Sequence, residues 1–223
     1  MNKYEIVKKI EKFAPLETQE KWDASGWIVD LPNKDINKIL FALTITPDII
    51  KQAENNECDL IISHHPLFFV PLEYRRINMY CAHTSLDKAN GGTTDLILEK
   101  LNFEGKSVSD FVRIVNLEKE ITIEDLKKRL LKISPKLRYV NNTGFEKIKT
   151  LGFCAGSGSE FINEVECDAF ITGDLKFHTA VESNKVVFDI GHFESEIFAV
   201  ELLKNLTEVG EKGIIANEKS PFI

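Results

Sequence analysis

Phe41 to Pro66 reads FALTITPDIIKQAENNECDLIISHHP, and Phe153 to Leu175 reads FCAGSGSEFINEVECDAFITGDL. Laid on one another with three residues skipped in the first helix region, the two bring Glu57-Cys58-Asp59 onto Glu166-Cys167-Asp168 and Ser63 onto Thr172. Carried on without gaps, the register sets His65 on Asp174, His83 on His192 and Asp87 on Glu196. Each half then holds a His-x-x-x-carboxylate just beyond a strand-like run. The expected architecture is α/β: two similar lobes, residues 1–110 and 111–223, packed around a shared site.

Working outward, the chain alternates short β-branched apolar runs with amphipathic helical stretches. Residues 3–13 put Ile6, Val7, Ile10 and Phe13 on one helical stripe that stops near Pro15. KILFALTIT (38–46) is a strand that feeds a helix, with Thr46 as N-cap and Pro47 at the first helical position. DLIIS (59–63) and NMYCA (78–82) follow as strands, and GGTTDLILEKL (91–101) as a helix after a Gly-Gly turn. In the second half, residues 122–133 form a helix capped by Thr122. Strands are expected at 137–140, 149–155, 169–172 and 186–190, with a terminal helix over 196–206. Strands spaced by helices imply βαβ units and a mostly parallel sheet.

Composition narrows the function classes. At 223 residues, 43% hydrophobic and 28% charged, the chain buries a core without disulfide staples and is neither disordered nor fibrous. A net charge of −7 disfavours nucleic acid and anionic membranes as partners. No apolar run reaches the roughly 18 residues of a membrane span, and the N-terminus has no bare apolar core, so neither insertion nor export is expected. Cys58, Cys81, Cys154 and Cys167 form no C-x-x-C pair, which fits a reducing cytoplasm.

The chemistry-bearing residues are concentrated. All five histidines fall into three islands, His64-His65-Pro66 with His83-x-x-x-Asp87, Asp174-x-x-x-His178, and His192-x-x-x-Glu196. Each lies at the C-terminal end of an expected strand, the edge of a parallel sheet where ligands bind. Adjacent side chains on a strand point to opposite faces, so His64 and His65 suit two ions, one each. His192 and Glu196 at i,i+4 share a helical face, and a carboxylate can bridge a pair of ions. Three neutral imidazoles and two carboxylates around two dications leave two positive charges, which favours an anionic substrate. With N/O donors and no thiolate, Zn, Fe, Mn, Co or Ni fits, and Cu(I) or an Fe–S cluster does not. Gly156-Ser157-Gly158-Ser159 follows a strand and precedes an expected helix, but Phe161 stands where a dinucleotide fingerprint needs its third glycine.

Trp22-Asp23-x-x-Gly26, Ser63-His64-His65-Pro66-Leu67-Phe68, His83-x-x-x-Asp87 with Gly91-Gly92, Ile171-Thr172-Gly173-Asp174 and Gly191-His192-x-x-x-Glu196 resemble the Nif-three-like dinuclear-metal family, whose members are often labelled GTP cyclohydrolase 1 type 2 homologues. The resemblance runs from about residue 20 to 200. It implies two similar lobes, a toroidal homohexamer and two divalent ions held by His64, His65, Asp87, His192 and Glu196. In that set Glu196 bridges and His83 stays outside, and from its own shorter arm Asp87 is expected to reach only the ion held by His65. The implied activity is a metal-dependent hydrolase acting on a nucleotide-like or other anionic small molecule, with Asp174 or His178 as proton carrier. The competing class is a ring-shaped metalloprotein that acts as a metal carrier or interaction scaffold without catalysis.

Overall fold

The computed structural model describes residues 1–222. In chain order it forms α1 (Lys3–Phe13), β1 (Gly26–Val29), β2 (Ile39–Thr44), α2 (Pro47–Asn55), β3 (Leu60–His65), β4 (Asn78–Cys81), α3 (Thr84–Lys88) and α4 (Thr93–Lys100). There follow β5 (Lys106–Ser107), β6 (Arg113–Thr122), α5 (Ile123–Leu130), β7 (Arg138–Asn141), β8 (Lys147–Phe153) and β9 (Ala169–Thr172). The chain closes with α6 (Phe177–Glu182), β10 (Val186–Asp189), α7 (His192–Glu196), α8 (Phe198–Thr207) and β11 (Gly213–Ile215). No helix among the described residues is long and apolar enough to cross a membrane.

Local chemistry sets these boundaries. Asn2 Oδ1 accepts the Tyr4 N–H at 3.0 Å to open α1, which ends at Phe13, two residues before Pro15. Thr46 Oγ1 accepts the Ile49 N–H at 3.3 Å with Pro47 at the first helical position, and Thr122 Oγ1 accepts the Asp125 N–H at 3.1 Å. These caps satisfy N–H groups that a helix start leaves orphaned. All three helices begin where the sequence placed them, and α5 ends at Leu130, three residues short of its expected end.

The chain divides into two compact units, Met1–Ala89 joined by the segment from Ile197 onward, and Asn90–Glu196. This differs from a single boundary at 110/111. β11 pairs in parallel with β2, and α8 packs on α1, β2 and β3, so the C-terminal segment completes the first unit. Such pairing over more than 150 positions leaves no local mark.

In the first unit the sheet order is β1-β4-β3-β2-β11, parallel except for β1, which runs antiparallel to β4. Leu40, Ala42, Ile61 and Met79 pack against Ile49, Ile50 and Ala53 of α2. β2 and β3 are buried almost throughout, the pattern of strands covered on both faces. In the second unit the order is β5-β6-β8-β9-β10-β7. Only β8, β9 and β10 are mutually parallel, so this sheet is more mixed than expected. One of its faces packs Leu151, Phe153, Ile171 and Phe188 against Ile97 and Leu98 of α4 and Leu126 and Leu130 of α5. The other buries Phe170 and Val187 with Cys154 and Ile162.

The repeat seen in the sequence is present in the topology. β1-β4-β3-β2 and β7-β10-β9-β8 have the same order, with an early antiparallel edge strand followed by three parallel ones. The shared Glu-Cys-Asp does the same job twice. Asp59 Oδ2 accepts the N–H groups of Asn37 and Lys38 at 2.6 and 3.3 Å, and Asp168 Oδ2 those of Lys149 and Thr150 at 2.7 and 2.8 Å. Each carboxylate thereby fastens the neighbouring strand just before their parallel ladder begins. The ungapped register slips by one residue near the end. The Ala82 N–H bonds to Ser63 O, but it is the Ile190 N–H that bonds to Thr172 O, and Gly191, at φ +82°, takes up the extra residue before His192.

Candidate metal centre

In the first unit, β3 delivers His64 and His65 at its C-terminal end, β4 leads into His83, and α3 carries Asp87 one turn later. His64 is fully buried, and His65, His83 and Asp87 are half-buried. The three rings converge, with centroids 5.0 Å apart for His64 and His65, 5.3 Å for His64 and His83, and 5.7 Å for His65 and His83. One donor atom from each lies within 4.8 Å of the others, close enough to hold a metal ion. Asp87 Oδ1 stands 3.4 Å from His64 Nε2.

Each of these imidazoles is anchored from behind. His64 Nδ1 bonds to the Ala82 carbonyl at 2.8 Å, His65 Nδ1 to Thr44 Oγ1 at 2.6 Å, and His83 Nδ1 to Asp23 Oδ1 at 2.8 Å. Asp23 is itself saturated, accepting also from the Ala24 and Thr84 N–H groups and from the hydroxyls of Ser25 and Thr84. Burial would raise its carboxyl, but the His83 and Thr84 bonds prevail and hold it far below the usual carboxylate range.

In the second unit, β10 passes through Gly191 into α7, which opens on His192 and ends on Glu196. His192 Nε2 lies 2.9 Å from Glu196 Oε2, and Nδ1 lies 2.6 Å from Asp174 Oδ2. Burial would lower this imidazole, but the two carboxylates outweigh it and push it up to about 9. Glu196 is 5% exposed and is pressed by Gly156, where an added Cβ would stand 2.1 Å from Glu196 Oε1. The Gly156 N–H donates to Ser195 Oγ at 2.9 Å, tying that loop to α7.

Asp174, expected as a proton carrier, is the anchor of His192. It sits exposed just after β9 with a left-handed φ of +50°. His178 is exposed on α6, its ring edge-on to Phe177. The Gly156–Ser159 loop opens no α-helix, only a five-residue 3-10 turn over Ser159–Asn163. Its glycines make room for Glu196 and for Thr172.

The sequence marked the imidazoles and carboxylates but missed two of their anchors. Asp23 lay inside a quoted motif without a role, and Thr44 carried no signal, because its hydroxyl meets His65 only through the β2–β3 pairing.

The donor set fits divalent metal. It is all imidazole and carboxylate, and His64, His65 and His192 are each held at Nδ1, which leaves Nε2 to coordinate.

The profile of the family described as Duf34/NIF3 (NGG1p interacting factor 3) matches residues 1–218. A Campylobacter jejuni protein named GTP cyclohydrolase 1 type 2 homolog is 33% identical, with 98% of this chain and 97% of that protein covered. A Clostridium perfringens protein of the same name is 32% identical at the same coverage, and Drosophila NIF3-like protein 1 is 28% identical over 98% of this chain and 87% of its own length. Among solved structures, Thermus thermophilus TTHA1606 superposes with a TM-score of 0.86 at 21% identity over 99% of this chain and all of that one. Methanocaldococcus jannaschii HcgD superposes at 0.82 with 26% identity over 96% of both.

Proposed function

The chain belongs to the Duf34/NIF3 (NGG1p interacting factor 3) family, and from that premise we propose that it is a dinuclear divalent-metal protein and a hydrolase of anionic, nucleotide-like small molecules. The proposed ligands are His64, His65 and Asp87 from the first unit and His192 and Glu196 from the second, with Glu196 bridging the two ions. One observation carries the reading. The three ligating imidazoles, His64, His65 and His192, are each fixed at Nδ1 by a carbonyl, a hydroxyl or a carboxylate, the arrangement that orients histidine for metal.

When bound, a pair of divalent ions supplies Lewis acidity and an activated water for attack at an electrophilic carbon or phosphorus. The chain's own residues set the rest. Asp174 holds His192 at Nδ1 and is the first candidate to accept a proton there, and exposed His178 is the second. His83, fixed by Asp23, orients Asp87 or a bound water instead of ligating. The two positive charges left after ligation favour a phosphate-bearing or acidic substrate.

The names of the bacterial relatives support the nucleotide class. The test is elemental analysis of protein purified without chelator, followed by assay against GTP and simple phosphoesters. Two equivalents of Zn, Fe, Mn, Co or Ni, with turnover abolished by chelation, is the expected result. Saturation at one equivalent removes the dinuclear centre, and metal-loaded protein that turns over none of these substrates removes the hydrolase.

A further inference from the structure

β2 is longer than the strand beside it. β11 stops at Ile215, and its ladder with β2 closes where the Ala216 N–H donates to Phe41 O at 2.8 Å. Beyond that point the tail stays on β2 by other means. Gln52 of α2 grips Asn217, Oε1 accepting its N–H at 2.9 Å and Nε2 donating to its carbonyl at 3.0 Å. Glu218 then turns inward, with Oε1 accepting the Leu43 N–H at 2.6 Å and Oε2 the Thr44 N–H at 3.1 Å. A carboxylate stands in for two rungs of strand pairing, and charge-assisted bonds of this kind are stronger than neutral ones.

The second of those rungs belongs to the residue that fixes His65. Thr44 is paired with His65 across β2 and β3, and its Oγ1 lies 2.6 Å from His65 Nδ1. We propose that the C-terminal tail is a built-in strap of the metal cluster, in which Glu218 positions Thr44 and Thr44 positions the His65 imidazole. Glu218 is a positioning residue and touches neither metal nor substrate. The inference rests on the metal reading above for the role of His65. The Nδ1–H must point at Thr44 Oγ1 for Nε2 to coordinate, so a drift of the β2 end lets the ring turn and lose its tautomer. Outer partners of ligating histidines typically govern roughly 10–100-fold in metal affinity.

The experiment compares full-length wild type with Thr44→Val, Thr44→Ser, Glu218→Ala, Glu218→Gln and the Thr44→Val/Glu218→Ala double variant. The first readout is imidazole nitrogen NMR on metal-free protein. His65 should be Nδ1-protonated in wild type and Thr44→Ser, and shift toward mixed tautomers in Glu218→Ala, while His64, held by a backbone carbonyl, does not move. The second is titration with Co²⁺ alone, followed by its absorption. Thr44→Val and Glu218→Ala should each weaken the affected ion about 10–100-fold, and the double variant should be no worse than the poorer single. Should Glu218→Ala fail to fold, Glu218→Gln, which keeps one acceptor, decides with a smaller shift of the same sign. An unchanged His65 signal in the Glu218 variants, or losses that multiply in the double variant, overturns the strap. Wild type that takes up no Co²⁺ overturns the metal reading instead, and the NMR arm still judges the strap.

Discussion

Gly156 has no side chain, and the space where one would stand belongs to Glu196. Its φ of +62° adds a second reason for glycine, since a Cβ there is strained whatever its neighbours. Gly156→Ala is expected to cost about 1–3 kcal/mol in urea unfolding and to weaken metal binding by pushing Glu196 aside. A variant with wild-type metal affinity would show that Glu196 is not where binding is decided. The two carboxylates should behave differently from each other. Glu196→Gln is expected to weaken both ions together, because a bridging carboxylate screens the repulsion between two dications. Asp87→Asn should lose chiefly the ion at His64, its neighbour at 3.4 Å, and retain near one equivalent at moderate metal concentration. Parallel metal titrations decide, and equal losses would remove the bridge. At this scale the histidines and their carboxylates were legible, because imidazoles gathered at strand ends are chemically conspicuous. Thr44 and Glu218 were not, since a threonine in a strand and a glutamate in a polar tail look ordinary until pairing brings them to a ligand.

At the scale of elements, the repeat was readable because it reused the same device. Glu-Cys-Asp before a buried strand places a carboxylate just before the parallel ladder with the neighbouring strand begins. Asp168→Asn should therefore cost about 1–2 kcal/mol at neutral pH, an amide being able to accept but not to match a carboxylate's bonds to two N–H groups. Burial would raise the Asp168 carboxyl, but the Lys149 and Thr150 bonds lower it below its ordinary value. A carboxyl held lower in the folded state contributes stability that is present above about pH 4 and is lost as pH falls through its folded value. The Asn variant should thus lose part of the acid-limb slope of urea-unfolding free energy measured from pH 6 to 3. A variant with the wild-type slope would show that the bonds do no such work. β6 was missed for a different reason. RIVNLEKEIT is half polar, with its middle exposed and its register with β8 broken between Asn116 and Ile121, so neither alternation nor an apolar run announced it. β11 is three residues long and pairs with a strand from the other end of the chain.

For the whole molecule, the family reading implies a closed ring of six, and symmetric closure is the usual soluble form of an oligomer. Light scattering should return about six times 25.4 kDa, and a monomer at micromolar concentration would contradict it. Ions that bind only the folded state should raise the melting temperature with metal concentration, each adding about 2.7 kcal/mol of stability at 100 times its dissociation constant. The two-lobed α/β plan was legible from the repeat, but its boundaries were not, because the last segment of the chain returns to the first unit. That return sets an order of events during synthesis. Residues 90–196 are contiguous, so that unit is fully translated before α8 and β11 exist, while the earlier residues wait for both. The nascent first unit must therefore spend the whole translation of the second with β2 lacking a neighbour and α1 lacking α8. Chaperone occupancy on stalled chains should persist until α8 and β11 have emerged, and that segment, though far from the histidines in sequence, is the one that ends the exposure.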